Sequence, residues 1–135
     1  MDKYMIEGGK KLYGSVKMQS AKNSVLPLFA ASILTDKRVV IRETPAISDV
    51  SCMAQILREL GAEVRFRGED VLIDSANACC HEIPSTLTRE LRSSVFMLGS
   101  LLTRFHRAVI AYPGGCDIGL RPIDLHLNAL KRLGV

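Results

Sequence analysis

The feature that most restricts the fold of this chain is an internal repeat. Residues 38–41 read RVVI and residues 107–110 read RAVI, and the stretch 56–62 (ILRELGA) is matched by 129–135 (ALKRLGV). The two helix segments lie slightly further apart in the sequence than the two strand segments do. We attribute this difference to a longer, glycine-rich loop over 113–121. A repeated strand-then-helix pattern predicts two copies of one structural unit.

The first copy is predicted to run helix, strand, helix, strand, strand. Its elements are a helix from Ser20 or Asn23 to about Leu34, a strand over 38–42, a helix over 49–60, and strands over 63–67 and 70–74. Ser20, Asn23 and Ser48 are candidate N-caps, and Pro27 is expected in a first helical turn, where proline is tolerated. Gly61 is expected to end the second helix.

The second copy is predicted to begin with a helix that starts at Thr86 or Thr88 and runs to about Arg104. A strand over 107–112 and a helix from Pro122 to Leu133 follow. The two strands that close the first copy have no counterpart here, so we expect the natural protein to be longer; a complete chain with a degenerate second copy is the alternative. Ahead of both copies, residues 3–18 are predicted to form two short strands around a turn at 8–9.

Composition places the chain among globular proteins, with 47% apolar and 24% charged residues in 135. The net charge of +4 comes without a run of five basic residues and without interleaved aromatics, so no nucleic-acid partner is predicted. No apolar run approaches the roughly 18 residues of a membrane span, and no signal-peptide layout is present. We therefore predict a cytoplasmic protein without a membrane partner.

The four cysteines are predicted to be reduced thiols rather than disulfides or metal ligands. No Cys-x-x-Cys occurs among Cys52, Cys79, Cys80 and Cys116. Cys80 does adjoin His81, which leaves a metal as a minor alternative. No metal and no cofactor is predicted.

Several cations near predicted helix starts suit a small phosphorylated anion. Lys22 and Asn23 open the first helix, Arg92 lies near the start of a later one, and Arg121 precedes the last helix, whose first turn holds Asp124. Free N–H groups and the helix dipole favour anions at such positions. The alternatives are a solvated lysine beside an N-cap and a carboxylate that only stabilises its helix end.

A cysteine in the glycine-rich loop is the candidate nucleophile or proton donor. Cys116 stands in the segment PGGCDIG, where three glycines predict a mobile loop and an exposed thiol. Neighbouring Asp117 favours the protonated form by charge repulsion. The alternative is an incidental small residue. Arg104, in contrast, is predicted to be a solvated cation of a last helical turn.

These motifs resemble the N-terminal part of the UDP-N-acetylglucosamine 1-carboxyvinyltransferase family, the enolpyruvyl transferases that open peptidoglycan synthesis. The matching blocks are 8–9, 12–14, 21–23, 49–50, 60–62, 91–94, 113–116 and 119–126. The last two blocks are specific to that family, because the related shikimate-pathway transferase has a similar fold but lacks the cysteine loop.

The resemblance implies an α/β fold of repeated β-α-β-α-β-β units, an inside-out barrel in two lobes with the active site between them. Residues 1–21 would be strands of the far lobe, and 22–135 a partial catalytic lobe with one complete and one incomplete unit. Members transfer the enolpyruvyl group of phosphoenolpyruvate to the 3-hydroxyl of UDP-N-acetylglucosamine and release phosphate.

The resemblance also implies which residues act. Cys116, Lys22 and Arg121 would be catalytic, with Cys116 the proton donor that can form an adduct with phosphoenolpyruvate and is alkylated by fosfomycin. The implied substrate-binding residues are Lys22, Asn23, Arg92, Arg121, Pro122, Ile123, Asp124 and Leu125.

Two other functions stay open at this point. One is a non-catalytic truncated paralogue that binds a sugar nucleotide or a protein partner, and the other is a shikimate-type transferase, which Cys116 disfavours. The chain alone is expected to be inactive, because the family's general base and a further phosphate-binding arginine belong to the missing C-terminal remainder.

Overall fold

The computed structural model describes residues 3–18, 20–112 and 122–135. The helices are α1 Lys22–Ala31, α2 Ser48–Glu59, α3 Ser85–Glu90, α4 Met97–Phe105 and α5 Asp124–Arg132, and the strands are β1 Val39–Ile41, β2 Glu63–Arg67 and β3 Asp70–Asp74. Short 3₁₀ turns follow α1 at Ser32–Leu34 and precede α4 at Arg92–Phe96. This mixture of helices and a small sheet confirms the predicted α/β class.

The sheet is antiparallel and has β3 in the centre, in the order β1-β3-β2. Strands β2 and β3 form a hairpin in which Arg67 pairs with Asp70, and both strands have the predicted bounds. Gly68 opens its two-residue turn with φ of 60°, a conformation that suits glycine. Val71 and Ile73 alternate onto one face and are fully buried, so this face carries the core.

The core lies between the sheet and a layer of helices. α1 packs against α2 and α4, and α2 packs against β2. Large side chains that solvent does not reach come from α1, α2 and α4, from the residues directly after α1 and α2, and from β3: Leu26, Phe29, Ile33, Met53, Ile56, Leu57, Leu60, Ile73, Met97 and Leu101. Burial of a side chain of this size contributes about 1.5–3 kcal/mol to stability. Because α1 buries such side chains against both α2 and α4, both contacts hold it in place.

The predicted N-caps of the first copy are wrong. Ala21 is the N-cap of α1 and Ile47 that of α2, and neither makes a side-chain cap hydrogen bond. Because α1 begins at Lys22, Pro27 lies inside the helix rather than in its first turn. Tertiary burial of α1 outweighs the backbone hydrogen bond that proline omits.

The long helix predicted before Arg104 is broken in two. Leu91 has extended φ and ψ of −122° and 108° and is buried, and a 3₁₀ turn separates it from α4. The Ser94 hydroxyl is buried without a hydrogen-bond partner among the described residues, so it does not stabilise this turn. Burial of the Leu91 side chain thus stabilises the break between α3 and the 3₁₀ turn.

The strand predicted over 107–112 is also wrong in extent. It is reduced to one parallel bridge between Val109 and Glu82, with the Val109 N–H donating to His81 O at 2.9 Å. Val109 is exposed, and within the described residues nothing pairs with the other side of this segment. A strand without a second neighbour lacks the ladder that holds it. The last helix is confirmed but starts at Asp124, so Pro122 precedes it.

The predicted strands over 3–18 are absent as well. The segment has no regular secondary structure, and apolar side chains such as Tyr4, Leu12 and Met18 are 82–94% exposed. Its contact with the folded part includes an ion pair between Lys17 and Glu43 at 3.2 Å. Without a partner strand to receive its N–H and C=O groups, the alternating sequence does not form a sheet on its own.

Arg104 was predicted to be solvated, and the structure corrects this. Its guanidinium is half-buried and donates hydrogen bonds to Ile33 O at 2.7 Å, Thr35 O at 3.2 Å and Ser75 O at 2.7 Å. Ile33 and Thr35 lie at the C-terminal end of the first helical segment, where carbonyls lack helical partners and favour a cation. Arg104 therefore links α4 to that end and to the residue that follows β3.

Candidate functional site

The candidate site is built around an ion pair between the starts of two helices. The Lys22 Nζ lies 2.8 Å from Asp49 Oδ2. Lys22 is the first residue of α1 and Asp49 lies in the first turn of α2, so the two helix N-termini meet here. The side chains are 48% and 30% exposed, which leaves the pair accessible from solvent.

The start of α1 has backbone donors to offer as well. The Ala21 carbonyl accepts hydrogen bonds from the N–H groups of Ser24 and Val25. The N–H groups of Lys22 and Asn23 precede these bonds and belong to the helix positions that have no intrahelical acceptor. Asn23 is exposed beside Lys22. A cation, an amide and free N–H groups at a positive dipole end are suited to an anion.

Arg92 lies close to the same helix, and in the described part of the chain it forms no hydrogen bond or ion pair with Lys22 or Asp49. It is half-buried and begins the 3₁₀ turn Arg92–Phe96, which packs against α1. The backbone thus brings the turn that carries the Arg92 guanidinium next to the helix that carries Lys22.

A second group of predicted residues lies at the start of α5. The Tyr112 hydroxyl donates a hydrogen bond to Asp124 Oδ1 at 3.1 Å. This bond to a carboxylate raises the pKa of the Tyr112 phenol, so the hydroxyl stays protonated and remains a donor. Ile123 is the half-buried N-cap of α5, while Pro122 and Leu125 are exposed.

Cys116 and Arg121 lie outside the described residues, and their placement relative to Lys22 stays a prediction. Among residues 3–18, 20–112 and 122–135, no hydrogen bond or ion pair joins the Lys22–Asp49 pair to the Tyr112–Asp124 pair. The structure therefore shows two groups of predicted site residues, each with one partner that sequence reasoning did not assign.

Those missed partners are Asp49 and Tyr112. Asp49 had a visible signal, since an acidic residue directly after Ser48 is expected at a helix start. That signal predicts the helix end it stabilises but not the lysine it meets.

One turn further along α2, burial and then the charges of Glu90 and Asp49 raise the pKa of the Cys52 thiol, which keeps it protonated.

The described part of the chain holds no group of three or more His, Cys, Asp or Glu side chains arranged to hold a metal ion. In the same residues, no helix has both the length and the apolar character that a membrane crossing requires.

The fold is that of an enolpyruvyl transferase. The crystal structure of the enolpyruvyl transferase NikO from Streptomyces tendae matches 73% of this chain and 23% of its own, with a TM-score of 0.64 and 27% identity. The model of the EPSP synthase (3-phosphoshikimate 1-carboxyvinyltransferase) family matches residues 6–135, and the chain belongs to this family.

Two relatives indicate which kind of enolpyruvyl transferase this chain resembles. The UDP-N-acetylglucosamine 1-carboxyvinyltransferase 2 of Caldanaerobacter subterraneus subsp. tengcongensis is 50% identical over 135 residues, which is all of this chain and 32% of that protein. The UDP-N-acetylglucosamine 1-carboxyvinyltransferase of Thermotoga maritima is 41% identical over 134 residues, again 32% of its length. The predicted resemblance is confirmed, and the chain spans about a third of the length of these relatives.

Proposed function

We propose that this chain forms part of a cytoplasmic enzyme that transfers the enolpyruvyl group of phosphoenolpyruvate to the 3-hydroxyl of UDP-N-acetylglucosamine, for cell-wall peptidoglycan. The observation that carries the proposal is the Lys22–Asp49 pair where the N-termini of α1 and α2 meet. The names of the relatives identify the substrates to be tested.

In this proposal Lys22 and Asn23 bind the anionic groups of phosphoenolpyruvate, since both offer donors at a positive helix end. Arg92 and residues 121–125 bind the sugar nucleotide, and Arg121 also reaches phosphate. Cys116 gives its proton to the methylene carbon of phosphoenolpyruvate, the sugar 3-hydroxyl loses its proton to a general base outside this segment, and the sugar oxygen bonds to the neighbouring carbon. Loss of phosphate and of one proton then restores the double bond.

The experiment is phosphate release by the intact protein that contains this segment. We expect release with phosphoenolpyruvate and UDP-N-acetylglucosamine, and none when shikimate 3-phosphate replaces the sugar nucleotide. Release with phosphoenolpyruvate and shikimate 3-phosphate, but not with UDP-N-acetylglucosamine, would establish the second candidate function, a shikimate-type transferase. The description of the family model favours this second candidate. No release with either acceptor, together with retained sugar-nucleotide binding, would indicate the non-catalytic paralogue.

The isolated 135-residue chain is expected to release no phosphate, because it spans about a third of the length of its relatives.

Fosfomycin tests the Cys116 thiol separately. Intact protein treated with fosfomycin should gain one adduct, located on Cys116 by peptide mass spectrometry, and a Cys116→Ser variant should gain none. An unmodified Cys116 would count against the assignment.

A further inference from the structure

Tyr112 and Asp124 form a hydrogen-bonded pair of which the proposed function uses only Asp124. The Tyr112 hydroxyl donates to Asp124 Oδ1 at 3.1 Å, between residues that lie 12 positions apart in the sequence. Tyr112 is 58% exposed and Asp124 is exposed as well, so water competes for this bond and the bond adds little to stability. Its main effect is on orientation, because it fixes where one carboxylate oxygen lies.

The Tyr112 side chain is placed beside the start of α5. It lines an apolar cavity of about 190 Å³ together with residues of α4, of the segment 108–111 and of α5, among them Ile110, Ile123 and Leu127. Ile123 is the half-buried N-cap of this helix. Because a tyrosine side chain has only two χ angles, a ring in contact with these residues leaves its hydroxyl little freedom.

The Asp124 carboxylate does not cap its own helix. A capping carboxylate accepts hydrogen bonds from backbone N–H groups of the first helical turn. Asp124 is the first residue of α5, yet within residues 3–18, 20–112 and 122–135 its carboxylate accepts from the Tyr112 hydroxyl and from no backbone N–H. An ionised carboxylate accepts about four hydrogen bonds on its two oxygens, so Oδ2 keeps the capacity to accept from a ligand.

We propose that Tyr112 is a positioning residue that orients the Asp124 carboxylate to accept a hydrogen bond from an N–H or O–H group of the nucleoside part of the substrate. The inference rests on the proposed function, in which residues 121–125 bind the sugar nucleotide. The ribose hydroxyls of a nucleotide are donors, whereas phosphoenolpyruvate is an anion that offers acceptors. Tyr112 therefore affects recognition of the sugar nucleotide and not of phosphoenolpyruvate.

The first test is Tyr112→Phe in the intact protein, since this change removes the hydroxyl and keeps the ring. We expect the KM and the Kd for UDP-N-acetylglucosamine to rise about three- to tenfold. The kcat and the KM for phosphoenolpyruvate should stay unchanged, because only binding of the sugar nucleotide is altered. Tyr4→Phe removes a hydroxyl from the exposed segment 3–18 and is the matched control, which should change none of these constants.

A double-mutant cycle tests whether Tyr112 acts through Asp124. Asp124→Ala should weaken binding of UDP-N-acetylglucosamine, and Tyr112→Phe added to that variant should weaken it no further. Isothermal titration calorimetry measures the four Kd values, and circular dichroism checks that each variant is folded. A merely structural role of Tyr112 would instead give additive losses and would shift the KM of both substrates.

Failure of this inference and failure of the proposed function give different results. If the unaltered intact protein binds UDP-N-acetylglucosamine and Tyr112→Phe binds it equally well, the role of Tyr112 is overturned and the proposed function stands. Additive losses in the cycle overturn it in the same way. If the unaltered protein does not bind the sugar nucleotide at all, both are overturned.

Discussion

Lys22 and Asp49 join two helix starts through a partly exposed ion pair. Such pairs contribute about 0–1 kcal/mol to stability, because solvent screens them and two side chains lose freedom. Their value here is orientation: the Asp49 carboxylate holds the Lys22 ammonium at the end of α1. Stability and activity should therefore respond very differently when the pair is broken.

We predict that Asp49→Asn in the intact protein lowers kcat/KM for phosphoenolpyruvate about tenfold or more, since Lys22 loses its fixed position. The free energy of unfolding should change by less than about 1 kcal/mol. Steady-state kinetics and urea denaturation measure the two effects. Glu43→Gln is the control, because it breaks the exposed Lys17–Glu43 pair away from the two helix starts. Equal kinetic losses in both variants would contradict a positioning role for Asp49.

Among the glycines in the described residues, Gly61 is the one with neighbouring atoms close to the position of a side chain. Its φ is 95°, and a Cβ there would lie 3.0 Å from Asn77 O. Gly68 has a φ of 60° but open space around it. The two positions share a left-handed backbone and differ in crowding.

We predict that Gly68→Ala costs about 1 kcal/mol of stability from backbone strain alone. Gly61→Ala should cost at least about 1 kcal/mol more, because the backbone of 77–79 must move. Urea denaturation of both variants measures the difference. If the two losses are equal, the segment 77–79 is not packed against Gly61.

At the scale of elements, local patterns were predicted well and tertiary effects were not. The β2–β3 hairpin was predicted to the residue, since its alternation and its Gly68 turn are both local. The break at Leu91 was missed because burial of that side chain fixes it, and burial is a property of the fold. Lys22 and Asn23 were predicted from a helix start, whereas the contact with Asp49 required knowing how two helices pack.

Among the described side chains, Arg104 connects segments that lie far apart in the sequence. It reaches from α4 to Ile33 O and to the carbonyl of Ser75, the residue directly after β3. Hydrogen bonds from a charged donor contribute about 1.5–3 kcal/mol each when the acceptors are partly buried. A planar guanidinium serves acceptors on two segments at once, which an ammonium does less well.

We predict that Arg104→Lys destabilises the chain by about 1–3 kcal/mol, since at least one of these carbonyls loses its donor. Arg107→Lys is the matched control, because Arg107 is exposed nearby and should change stability by less than about 0.5 kcal/mol. Chemical denaturation of both variants gives the comparison. A loss in Arg104→Lys no larger than in Arg107→Lys would show that the carbonyls find other donors.

At the scale of the whole molecule, the described chain divides into a packed part and an extended segment. Residues 3–18 carry exposed Tyr4, Ile6, Leu12 and Val16 and have no regular structure. The resemblance assigns this segment to strands of a far lobe, which remains a proposal. Its contacts within this chain include the exposed Lys17–Glu43 ion pair, which holds it weakly.

We predict that deletion of residues 1–18 leaves the Tm of the chain unchanged and lowers its tendency to associate, because exposed apolar side chains promote association. Thermal denaturation and sedimentation velocity measure the two properties. A 135-residue variant with Tyr4, Ile6, Leu12 and Val16 changed to serine separates loss of apolar surface from loss of chain length. It should match the deletion in both properties. A clear fall in Tm in either variant would mean that this segment packs on the helices and sheet, and that its apolar residues belong to the core of this chain.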